Sequence, residues 1–106
     1  MLIVPLVAKP AQTLTIQLSN QPCTINVKQL STGLFVDLYV NNQPIITSVI
    51  GQDRNRIVRD AYLGFIGDLA FYDLQGSDDP FWTGLGARWI LGYLETPDLA
   101  ALGLAG

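Results

Sequence analysis

From Gln12 to Val40 the chain alternates polar and apolar residues almost without interruption, and that period of two commits it to β-structure. "QTLTIQL" (Gln12–Leu18) places Leu14, Ile16 and Leu18 on one face, and "TINVKQL" (Thr24–Leu30) does the same with Ile25 and Val27. "LFVDLYV" (Leu34–Val40) puts Leu34, Val36, Leu38 and Val40 on one face, with Phe35, Asp37 and Tyr39 on the other. Turn chemistry separates the runs: Ser19-Asn20-Gln21-Pro22, Ser31-Thr32-Gly33 and Asn41-Asn42. Asparagine tolerates positive φ, so Asn41-Asn42 suits a tight hairpin between Val40 and Ile45. "IITSVI" (Ile45–Ile50) reads as the next strand and stops at Gly51. With the apolar run "MLIVPLVAKP" as a first strand, the first half is expected to be an antiparallel meander of about five strands.

The second half is less regular. "GQDRNRIVRDAY" (Gly51–Tyr62) is polar and reads as a long loop, or as a loop around a short strand at Ile57-Val58. Strand character resumes in "LGFIGDLAFYDL" (Leu63–Leu74), where Leu69, Phe71 and Asp73 alternate with Ala70, Tyr72 and Leu74. "RWILGYLE" (Arg88–Glu95) is the expected last strand. The apolar tail "TPDLAALGLAG" changes idiom: Thr96 can cap a short helix, Pro97 fits its first turn, Asp98 complements the dipole and Gly103 ends it. So short a helix does not hold by itself in water; it would have to dock, through residues such as Leu99 and Leu102, on its own domain or on a neighbour. The expected fold is all-β: a small antiparallel sandwich or barrel over residues 1–95, with residues 96–106 as a C-terminal helical tail.

Composition points to an assembly. The chain has 106 residues, 49% of them hydrophobic and only 14% charged, with a mean hydropathy of +0.31. Soluble domains carry roughly 25% charged residues, so this surface must show many uncharged or apolar side chains, as interaction surfaces do. Six basic against nine acidic residues give a net charge of −3, which argues against broad nucleic-acid binding. The N-terminal run lacks a basic flank and a cleavage signal, and it is far shorter than a membrane span; it reads as part of an intracellular product with no membrane insertion. There is no histidine, so Ser-His-Asp and Cys-His catalysis within the chain are excluded. Cys23, the single cysteine, sits in a strand context and reads as a small core or edge residue.

The remaining candidate sites have structural readings at least as good as functional ones. Asp78-Asp79 could share a proton or bind a hard cation, but adjacent carboxylates diverge and "GSDDP" is a strong turn sequence. Thr83-Gly84-Leu85-Gly86 resembles part of a phosphate loop, yet it lacks the third glycine and a following helix. Arg54, Arg56 and Arg59 form the one basic cluster, suited to an acidic partner subunit or to loose pairing with Asp53 and Asp60. If they serve a partner, replacing all three with Ala impairs assembly and leaves the fold intact. Trp82 and Trp89 are read as packing or interface anchors. In a competing reading they join Tyr62 and Tyr72 to line a hydrophobic-ligand pocket in a barrel. A further alternative, a carboxylate-dependent glycan hydrolase, would rest on Asp78 and Asp79.

Two long runs carry a resemblance. "STGLFVDLYVNNQPI" (Ser31–Ile45) and "NRIVRDAYLGFIGDLAFYDLQGSDDPFWTGLGARWILGYLE" (Asn55–Glu95) are similar to the baseplate plug proteins of contractile-tailed bacteriophages. The shared features are the "TGL" turn, the "NRIV" segment, the "YLGF-GDLAF-D-QG" core and the "DP-aromatic-TGLG-R" turn. The resemblance implies a structural, non-enzymatic subunit near the central hub of a virion baseplate, with no cofactor. It would help close or organise the tube lumen, against hub and tube-initiator subunits and the C-terminus of the tape-measure protein. A homotrimer is the preferred arrangement there, with a hexamer as the alternative. Arg54, Arg56, Arg59, Trp82, Leu99 and Leu102 are the interface candidates. Asn55-Arg56, Gly64, Asp68, Asp73, Gly76, Asp79-Pro80 and Thr83 to Arg88 are expected to be architectural.

Overall fold

Positive φ angles at Ser19 and Asn20 (51° and 61°) and at Asn41 and Asn42 (53° and 63°) mark two tight two-residue hairpins. Their backbone twist matches that of the flanking strands. Together with a turn at Ser31-Thr32 they fold the alternating runs into a meander. In a computed structural model, which describes residues 2–54, 56–58 and 67–95, the strands are β1 (Leu2–Val4), β2 (Ala11–Leu18), β3 (Gln21–Leu30), β4 (Gly33–Val40), β5 (Gln43–Gly51), β6 (Asp68–Asp73) and β7 (Trp89–Leu94). One antiparallel sheet has the order β2-β3-β4-β5 and the other the order β1-β7-β6. The two pack face to face as a sandwich, and of the two expected architectures the barrel does not form.

The meander has four strands, one fewer than the alternation led us to expect. The N-terminal run crosses to the other sheet, where Leu2, Ile3 and Val4 pair with Tyr93, Gly92 and Leu91. Pro5 and Pro10 bracket the crossing, and proline cannot donate to a ladder, so the run cannot continue into β2. Ile57-Val58 forms no strand. Instead, residues around them lie along the outer edge of β6, with bridges from Asp53 to Phe71 and from Arg56 to Ala70. The strand expected from Leu63 is described only from Asp68. The tail helix, with Leu99 and Leu102, lies outside the described residues.

Alternation did assign the faces correctly. Ile25, Val36, Leu38, Leu69, Phe71 and Leu91 have no solvent exposure and fill the space between the sheets. Cys23 is buried among them, and its thiol pKa is pushed up by that burial. Tyr93 reaches from β7 to the β2–β3 turn, where its hydroxyl donates to Ser19 Oγ at 2.9 Å. Among the described residues no helix is long and apolar enough to cross a membrane. The Phe71 ring is wholly buried in this core, and Gly51 packs directly against it. Phe71→Ala should therefore destabilise the fold by about 3–5 kcal/mol, read as a lower midpoint in chemical denaturation.

Candidate functional site

β6 ends in a carboxylate on the wrong face. Asp73 shares its parity with Leu69 and Phe71, so the strand delivers a charge to the buried side of the sheet. A buried carboxylate needs partners for its oxygens, and the turn that follows supplies them. Arg88 donates through Nε to Oδ1 and through Nη2 to Oδ2, both at 2.9 Å. The backbone N–H groups of Gln75 and Asp78 add one bond to each oxygen, again at 2.9 Å. The Arg88 fork, aided by those two N–H groups, holds the Asp73 carboxyl well below the usual carboxylate range, against the opposing effect of desolvation.

The rest of "QGSDDPFWTGLGARW" is organised around that pair. Arg88 also donates to Asp78 Oδ2 at 2.8 Å and lies 4.5 Å over the Trp89 ring, whose Nε1–H donates to the Asp78 carbonyl at 3.0 Å. Asp79 points elsewhere, and its Oδ1 accepts the Asp53 N–H at 3.1 Å. The two adjacent carboxylates thus serve two different partners and form no acid–base pair. Residues Trp82–Gly84 make one turn of 3-10 helix. At Gly84 a side chain would collide with the Trp89 ring, while Gly86 has φ +82° and lies against the Leu6 carbonyl. Both glycines are demanded by close packing and backbone conformation, and the loop has no phosphate-binding geometry.

Trp82 packs inward, half-buried against the core, and its backbone N–H donates to Gln29 Oε1 of β3 at 3.2 Å. It thereby anchors the turn to the opposite sheet. Phe81 stays 46% exposed, with its ring 6.2 Å from that of Trp82. Leu74, where the turn leaves β6, is 59% exposed. Among the described residues the expected aromatics do not line a common pocket: Trp89 is buried under Arg88, Trp82 faces the core and Tyr72 packs on Ala70 and Leu94, while Tyr62 lies outside the described residues. An open concavity of about 450 Å³ lies instead beside the β2–β3 hairpin, lined by residues such as Thr15, Gln17, Pro22 and Asn42.

The basic cluster is built into the fold. Arg54 forms an ion pair with Asp53 and donates to the carbonyls of Gly76 (3.3 Å) and Asp73 (3.4 Å). Arg56 lies 3.9 Å from the buried Asp68, and Arg59 falls outside the described residues. Asp68 in turn accepts the N–H groups of Val58 and Leu69 at 2.8 and 2.7 Å, and Asp53 accepts that of Asp73 at 2.8 Å. These aspartates stand in for ladder partners and strap residues 53–54 and 56–58 along the β6 edge. Replacing the arginines with Ala would therefore disturb this strap as well as any partner contact.

A family model described as cyanophage baseplate Pam3 plug gp18 matches residues 1–96. The chain belongs to this baseplate plug family. No curated protein matches it. The match spans both sheets of the plug and the whole Asp73–Arg88 turn, and it stops where the tail begins. No three side chains of cation-ligating type converge among the described residues of the plug.

Two outcomes follow from this geometry. Since the folded-state pKa of Asp73 is depressed, its stabilisation is complete above the unfolded carboxylate value of about 3.9. It is lost as pH falls below that value towards the folded one. Denaturant titrations across the acid range should show a steep loss below about pH 4; in Asp73→Asn that slope should flatten and stability at neutral pH should be lower. Gly84→Ala should cost about 1–3 kcal/mol by overpacking and shift the tryptophan emission, because it displaces the Trp89 ring.

Proposed function

We propose that this plug is a structural subunit at the central hub of a contractile phage tail baseplate. It closes or organises the tube lumen through protein–protein contacts and carries out no chemistry of its own. The observation that carries this reading is the family match over residues 1–96. The charge-poor composition supports it, because a surface with 14% charged residues is suited to burial against other subunits. Its neighbours would be the hub, the tube initiator and the C-terminus of the tape-measure protein, in a virion assembled within the host. A cyclic trimer, or a hexamer, matches the symmetry of such a hub.

For the contact surface we favour the turn between β6 and β7. Leu74 stands exposed where it begins and Phe81 at its middle, while Asp73, Arg88 and Trp89 hold its shape. Trp82 supports Phe81 from below, and Arg54, whose side chain is 52% exposed, offers a charge nearby for an acidic neighbour. Arg56, Arg59, Leu99 and Leu102 extend the candidate interface. The reading is tested in a phage deleted for this chain. Infectious contractile tails should fail to form and should return when the chain is supplied in trans; infectious tails made without it would refute the role. In the same complementation, Leu74→Ser with Phe81→Ser should lower incorporation into purified tails. The isolated fold should keep its stability within about 0.5 kcal/mol, as exposed substitutions usually do.

A further inference from the structure

The two sides of the sandwich are finished differently. On one side β5 and β6 are protected. β5 carries a bulge at Ser48, where φ is +52° and the N–H is held by Asp37 Oδ1 at 2.6 Å, while residues 53–54 and 56–58 cover the edge of β6. On the other side lie β1 and β2, joined by the short Pro5–Pro10 crossing. β1 has only three residues. β2 has eight, in unbroken register with β3 from Ala11 to Leu18, and contains no proline, no bulge and no charge. Native sheets normally guard an edge of that length with at least one of these devices.

The register shows which groups β2 leaves open. The two-residue turn makes Leu18 and Gln21 a hydrogen-bonded pair, and the bond from Gln29 N–H to the Pro10 carbonyl fixes the same phase at the far end. The even-numbered residues therefore face β3. Ala11, Thr13, Thr15 and Gln17 turn their N–H and C=O groups outward, with no partner strand among the described residues.

We propose that β2 pairs antiparallel with β2 of a second copy of this chain, about a twofold axis at Leu14, when the protein is not incorporated in a baseplate. That register sets Thr13 against Thr15 of the second copy and Ala11 against Gln17. Each such pair exchanges both main-chain hydrogen bonds, so every open group on the edge is used. Threonine opposite threonine is a favourable cross-strand pair on the outer face. On the inner face Leu14 and Ile16, half-buried in one copy, gain cover, with Leu14 meeting its twin. No like charges meet anywhere along the strand, which is why the edge is self-complementary. The contact is isologous and closed. It stands on the fold alone, so its failure would leave the baseplate reading untouched.

Sedimentation equilibrium on the full chain tests the pairing. The native protein should be a reversible dimer. Thr13→Lys with Thr15→Lys, which sets lysine against lysine on an exposed face, should raise the dissociation constant at least tenfold with an unchanged circular dichroism spectrum. Leu14→Cys in a Cys23→Ala background should give a disulfide-linked dimer under mild oxidation, while Asn42→Cys in the same background should not; this arm decides the matter should the lysine variant fail to fold. A monomer at every concentration would overturn the proposal. So would an assembly indifferent to the lysine pair, or a thiol that stays free in the Leu14→Cys variant.

Discussion

The bidentate bond between Arg88 and Asp73 is the constraint from which the rest of this structure follows. A strand that must fill the core with Leu69 and Phe71 also carries a carboxylate to the same face. The only stable outcome is for the chain to return with a planar five-donor cation and two spare N–H groups. That return sets the path of the whole turn. It fixes where Trp89 starts β7, and thereby where β7 can receive both β6 and the N-terminal strand.

The same logic recurs at smaller scale. Asp37, Asp53, Asp68 and Asp79 each accept backbone N–H groups that no strand serves. In a chain so short of charge, the acids are used as acceptors for irregular backbone, which must be satisfied wherever it is shielded from water. Arg54 and Arg56 pair with two of them, Asp53 and Asp68. One side of the sandwich is closed in this way, by a strap on β6 and a bulge in β5, while among the described residues nothing pairs with the β2 edge on the side formed by β1 and β2. A β-sandwich with one finished and one open side is suited to joining something else, in keeping with the baseplate plug family to which it belongs.

Much was legible in the residues. Alternation gave the faces of β2, β3 and β4, and paired asparagines gave the β4–β5 hairpin, because both signals are local and one face is buried. A signal for the Asp73 site was present too, since a carboxylate in phase with Leu69 and Phe71 must be partnered; its partner, fifteen residues on, was not identifiable from spacing. Arg54 and Arg56 looked like a free basic patch because the sequence shows charges without showing the aspartates folded back on to them.

What the sequence by itself determined is the class of the protein: strands of period two, tight asparagine turns, no histidine chemistry, and a composition poor in charge. Its tertiary structure decided which strand joins which sheet, that Trp82 turns inward while Phe81 turns out, and that the glycines of "TGLG" serve the Trp89 ring and the Leu6 carbonyl. The division has a physical cause. Periodicity and turn propensity act between neighbours in the chain. A buried charge, a ring face or a sheet edge is satisfied only by groups that folding brings from far along it.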